Sequence, residues 1–121
     1  MSNSITLLLV EDSEIDRAIY RRFLSQDDRY RYKIIEFDRG NDALEWFQQQ
    51  VPDLILLNYS LPDMNGLEFL EQLNQQWSQP AIPLILLTAY GNIQVVVEAM
   101  KRGALDYLDK QNLTPQILQI M

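Results

Sequence analysis

The chain contains no cysteine and no histidine among its 121 residues. Disulfides, thiol nucleophiles, zinc sites and histidine-based acid–base or phosphoryl-relay chemistry are therefore excluded within this segment. Any metal it holds must be a hard ion on oxygen ligands. No apolar run approaches the roughly 18 residues a membrane span requires. The opening MSNSITLLLVED places no basic region ahead of its apolar run, so it does not read as a secretory leader. A cytoplasmic location with no membrane partner is the expectation. Positive charge is also scarce, with 10 Lys and Arg against 17 Asp and Glu and a net charge of −7. Nucleic-acid affinity comes largely from neutralised phosphates, so contact with nucleic acid is not expected of this domain. Arg17, Arg21, Arg22, Arg29, Arg31 and Lys33 cluster in one stretch, which reads as a solvated face with cations near a helix C-terminus.

What is present is a 47% hydrophobic chain, enough for one globular domain over residues 1–121. Short apolar runs alternate with helical patterns. Ile5 to Val10, Tyr32 to Phe37, Leu54 to Leu57, Leu84 to Leu87 and Ala104 to Leu108 read as strands. The central ones are too short for helices and too apolar for surface strands, so they are expected to be covered on both faces. Ser13 caps a first helix over Glu14 to Gln26, with an apolar stripe of Ile15, Ala18, Ile19 and Phe23. A second helix begins at Asn41 or Asp42, carries Ala43, Leu44 and Phe47 on one face, and stops at Pro52. The third starts near Leu67, with Leu70, Leu73 and Trp77 at helical spacing, and Pro80 to Pro83 end its connection. In the fourth, Ile93, Val96, Val97 and Met100 are expected inward, with Gly103 as a left-handed C-terminal cap. Thr114 caps a short last helix, with Pro115 in its first position and Ile117, Leu118 and Met121 apolar. Trp46 and Trp77 read as partly buried packing, and Asn65 with Gly66 as a turn. The alternation demands an α/β fold, a doubly wound parallel sheet with helices on both faces. Because the last helix is cut short, the natural protein is expected to continue past Met121.

A parallel sheet gathers its strand C-termini on one edge, which brings together Glu11, Asp12, Asn58, Thr88 and Lys110. Adjacent Glu11 and Asp12, an oxygen from position 58 and the Ser60 backbone carbonyl read as a Mg²⁺ cradle. Thr88 offers a hydroxyl and Lys110 a point charge, both suited to phosphoryl oxygens. Taken alone, Asn58 is a turn amide, Lys110 a surface lysine and Tyr107 a packed ring. Together they describe a phosphoryl-aspartate site.

At these residues the sequence resembles the response-regulator (CheY-like) receiver domain of two-component phosphorelay signalling. The motifs are LLVEDSEIDR, DLILLNYSLPDMNG, LILLTAYG and GALDYLDK, in order across nearly the whole chain. The resemblance implies a flavodoxin-like, three-layer sheet of order 2-1-3-4-5. It implies that an aspartate at position 58 would accept the phosphoryl group, that Glu11 and Asp12 would hold Mg²⁺, that Lys110 would contact the phosphoryl group, and that Thr88 and Tyr107 would report the state. A histidine kinase or phosphotransfer domain, in cis or trans, would be the donor, with an output domain beyond Met121. The face of helix four, strand five and helix five, beside Tyr90 and Tyr107, would be the docking surface.

Two positions depart from the family pattern. Residue 58 is asparagine, whose amide nitrogen has a delocalised lone pair and cannot form an acyl phosphate. The chain is thus expected to be acceptor-dead, either a pseudo-receiver acting by protein contacts or a substituted form of an active receiver, with Mg²⁺ weak or absent. Gln111 stands where proline usually follows the lysine, leaving a cis or a trans bond after Lys110 open. A signalling module rather than an enzyme is expected. The competing readings are a Mg²⁺-dependent phosphotransferase or phosphatase on a related sheet, and a flavin carrier, whose phosphate Glu11 and Asp12 would repel.

Overall fold

The computed structural model describes residues 3–76, 82–89 and 92–119. Trp77, Pro80, Tyr90, Gly91 and Met121 lie outside the described residues. The elements in chain order are β1 (Ser4–Val10), α1 (Glu14–Ser25), β2 (Arg31–Phe37), α2 (Gly40–Phe47), β3 (Leu54–Asn58), α3 (Gly66–Gln76), β4 (Leu84–Thr88), α4 (Ile93–Lys101), β5 (Asp106–Asp109), a 3-10 turn (Lys110–Asn112) and α5 (Pro115–Gln119). All four strand pairings are parallel and the order is β2-β1-β3-β4-β5, as expected.

The sheet is sandwiched because its central strands are apolar on both faces. Leu8, Val10, Ile55, Leu57, Leu84 and Leu86 meet Ala43, Phe47, Phe69, Leu70, Leu73 and Ala99 of α2, α3 and α4. Leu7, Leu9, Leu54, Leu56, Ile85 and Leu87 on the opposite face meet Tyr20 and Leu24 of α1 and Leu118 of α5. Every residue of β3 and β4 is buried, including the polar ends Asn58 and Thr88. Register places Val10 beside Leu57, Asn58 beside Leu87, and Thr88 beside Asp109. The strands therefore run out at one level, and the residues after them share one rim.

Two helices present different faces from those expected. In α1, Tyr20 and Leu24 are buried, whereas Ile15 is 74% exposed and Ile19 and Ala18 also face outward. In α4, Ala99 is buried and Val95 packs on the core, while Ile93, Val97 and Met100 are exposed and Val96 is only half-buried. Both helices carry apolar residues over too wide an arc to identify the inner stripe.

Strand five starts later than expected. Ala104 is spent on the end of α4, where its N–H donates to the Ala99 carbonyl and that of Gly103 to Met100. This is a Schellman cap, and Gly103 has the required positive φ of 105°. Helix α2 ends well before Pro52, because the Gln48 and Gln49 N–H groups turn back to Glu45 and Trp46. The peptide bond between Lys110 and Gln111 is trans, as are all those described. The Gln111 N–H donates to Asp109 Oδ1 at 2.9 Å, a bond that proline could not make.

Candidate functional site

Asn58 ends the central strand with only 6% of its surface exposed. Its amide is fully engaged. Nδ2 donates to the Ser60 carbonyl at 2.7 Å and to Asp12 Oδ1 at 3.2 Å, while Oδ1 accepts from Lys110 Nζ at 3.2 Å. Amide orientation is fixed by chemistry here: the reverse rotamer would set NH₂ against an ammonium and an oxygen against two oxygens.

Glu11 follows β1 and is completely buried. Its Oε1 accepts from Lys110 Nζ at 2.9 Å and from the Tyr20 hydroxyl at 3.4 Å, and its Oε2 from the Ser13 N–H at 3.1 Å. Burial pushes the Glu11 carboxyl above its ordinary value, and the bonds from Lys110 and Ser13 only partly offset this. Tyr20 is pushed up as well, first by burial and then by the Glu11 charge. Lys110 is anchored a third time by Asp16 Oδ2 at 2.8 Å. Burial alone would pull its ammonium down, but the bonds and charges of Asp16 and Glu11 outweigh that and raise it. Asp12, unlike Glu11, lies exposed on the rim.

The structure thus joins Glu11, Asp12, Asn58, the Ser60 carbonyl and Lys110 in one hydrogen-bonded group. Thr88 ends the adjoining strand, buried, with its hydroxyl donating to the Ala89 carbonyl at 3.2 Å. With the 44%-exposed Tyr107 it lines a cavity of about 460 Å³ that Ala89, Asn92, Ile93 and Val96 also bound. Tyr107 is therefore not the packed ring it resembles in isolation.

Sequence reasoning missed two supports. Asp16 read only as a helix-start acid, yet the Ser13 cap, whose hydroxyl accepts the Asp16 N–H at 3.1 Å, turns the first helical residues onto this rim. Asp63 accepts the Gly40 and Asn41 N–H groups at 2.9 Å each, capping α2 from the loop after β3. These amides outweigh the effect of its burial and hold its carboxyl below the ordinary range. A Cβ at Gly40 would lie 2.6 Å from Met64 Sδ, so a side chain there would require Met64 to move. The loop that positions Ser60 is thereby clamped at its far end.

The donor set does not fit a divalent cation as it stands. Among the described residues, no group of three or more Asp, Glu, His or Cys is arranged to hold a metal. Glu11 is committed to Lys110, Ser13 and Tyr20, and the side of Asn58 facing Asp12 and Ser60 carries hydrogens rather than a lone pair. No buried side-chain nitrogen or oxygen among the described residues lacks a partner.

Known proteins bear on this rim and its fold. Residues 7–121 match the family model of the response regulator receiver domain. The luminescence regulatory protein LuxO of Vibrio campbellii is 39% identical over 102 residues, covering 84% of this chain and 21% of LuxO. The transcriptional regulatory protein ZraR of Escherichia coli K12 is 34% identical over 108 residues, covering 89% of this chain and 23% of ZraR. This chain therefore spans less than a quarter of the length of these relatives. Among solved structures, the Mn²⁺-bound response regulator Rcp1 superposes with a TM-score of 0.82 at 28% identity, over 95% of this chain and 89% of that one. The NtrX receiver domain from Brucella abortus gives 0.79 at 25% identity, over 93% and 90%. With a strand-end amide where the fold gathers its carboxylates, this chain belongs to the response regulator receiver family.

Proposed function

We propose that this receiver takes no phosphoryl group in its present form and signals by protein contact. The observation that carries this is Asn58, the buried residue at the end of the central strand, whose amide is bonded on both ends. An amide is neutral and its nitrogen lone pair is delocalised, so attack on phosphorus would not give an acyl phosphate. The same residue counts against a Mg²⁺-dependent phosphotransferase, which needs its own strand-end carboxylate. A binding module rather than an enzyme is the reading that remains.

Contact requires an apolar surface, and the faces that turned outward supply it. Ile93, Val97, Met100 and Tyr107 form an exposed apolar run on α4 and β5, beside the cavity that Thr88 lines. No helix among the described residues is long and apolar enough to cross a membrane. The partners this reading implies are a histidine kinase or phosphotransfer domain and an output domain, in keeping with the longer regulators it is similar to. Exposure of the purified chain to acetyl phosphate and Mg²⁺, followed by intact mass, tests the proposal. An unchanged mass is expected; stable addition of one phosphoryl group would overturn it.

A further inference from the structure

The geometry points to a second role for Asn58: its amide stands in for the divalent cation. The inference rests on the reading of this rim as a receiver's acceptor pocket. It concerns what holds the pocket together rather than what reacts there.

Three polar atoms converge beside β3: a carboxylate oxygen of Asp12, the Ser60 carbonyl oxygen and the side-chain nitrogen of Asn58. With a carboxylate at 58, all three would be acceptors without a hydrogen among them, and only a cation could relieve their repulsion. Asn58 instead presents an NH₂ group, which has two donors in a fixed fork. One meets Asp12 Oδ1 at 3.2 Å and the other the Ser60 carbonyl at 2.7 Å. The two groups a cation would bridge are bridged by one nitrogen. At the other end, Oδ1 still takes Lys110 Nζ at 3.2 Å, as a carboxylate oxygen would. Lys110 brings a positive charge to the pocket, shared among Glu11, Asp16 and Asn58.

Two consequences follow. A cation would have to displace the amide hydrogens from Asp12 and Ser60 while losing one unit of ligand charge relative to an aspartate. The rim would also keep its shape whether or not Mg²⁺ is present, making the contact surface beside it independent of the ion.

The test is a titration of the wild-type chain with Mg²⁺, and separately with Mn²⁺, alongside the N58D variant. In wild type, the Asn58 side-chain NH₂ resonances are expected to stay in place through millimolar Mg²⁺, and the melting temperature to stay constant. Asp12→Ala should speed solvent exchange of those amide protons, because one of their acceptors is gone. N58D should gain Mg²⁺-dependent stabilisation, with affinity at least about tenfold above wild type from the added ligand charge. Wild-type affinity equal to that of N58D, or Asn58 resonances that move as Mg²⁺ binds, would overturn the inference. Should N58D fail to fold, the wild-type resonances decide alone. Intact mass after acetyl phosphate reports the acceptor question separately, so either reading can fail without the other.

Discussion

Glu11 and Asp27 are both buried carboxylates on the same chain, at opposite ends of the sheet, and their surroundings push them in opposite directions. Asp27 closes the turn after α1. It accepts from the Arg29 backbone N–H at 2.9 Å, from both Nε and Nη2 of Arg29 at 3.1 Å, and from the Tyr32 hydroxyl at 2.8 Å. The Arg29 guanidinium outweighs burial and brings Asp27 down from 3.8 to about 2. Glu11, with one shared ammonium and two weaker donors, remains raised by burial. The lower edge is a staple in which donors exceed what burial costs. At the upper edge a charge is kept at some expense to the fold, the pattern expected where a site needs that charge.

Removing the cation from the upper edge should have the largest effect. Lys110→Ala leaves Glu11 buried with its best partner gone; because Lys110 is partly exposed, the loss should be about 2 to 3 kcal/mol rather than the full cost of breaking a buried pair. Urea unfolding at neutral pH checks this. The deficit should shrink in mild acid, because protonating Glu11 removes the unpaired charge.

Asp27→Asn should cost roughly 2 kcal/mol, since it trades charge-assisted bonds for neutral ones around a buried group. Asp27 has a depressed folded value, so its contribution is fully present above 3.8 and is lost as pH falls through about 2. The variant should lack that part of the acid limb, which thermal melts across this window will show.

Asp63→Ala should cost about 1 kcal/mol by uncapping α2. Its wider effect should be on the rim: the loop carrying Ser60 loses its anchor, and amide exchange at Ser60 to Asn65 should quicken while that of β1 stays unchanged.

Glu11→Gln should be the mildest, within about 1 kcal/mol at neutral pH, because relief of burial and loss of the Lys110 pair oppose each other. Here the slope is diagnostic. Glu11 has a raised folded value, so the unfolded chain ionises first and stability falls as pH rises from 4.5 through that value. The variant should lose this fall and keep the opposite one due to Asp27.

The contrast between these edges was half legible in the sequence. The upper rim was readable because β1 and β3 are continuous apolar runs ending abruptly in Glu11 and Asn58, and parallel strands must place such ends together. The buried faces of α1 and α4 were not readable. Ile15, Ala18 and Ile19 offer as good a stripe with Phe23 as Tyr20 and Leu24 do, and only packing against the core of Leu7 and Leu9 selects Tyr20 and Leu24, with Phe23 half-buried beside them. Asp16 and Asp27 carry no periodic signal: Asp16 looks like an ordinary helix-start acid until Lys110 is brought to it from far along the chain, and Asp27 meets its local partners Arg29 and Tyr32 only through the geometry of the turn after α1. Gly103 was readable because its reason is local, a left-handed cap.

A buried amide closes the site where the family fold would place an acceptor. Intact mass spectrometry of the wild-type chain and N58D, each treated with acetyl phosphate and Mg²⁺, tests it most directly. Wild type is expected to keep its mass, while N58D gains one phosphoryl group because Lys110 and Asp12 already flank position 58. Phosphorylation of the wild-type chain would contradict the claim.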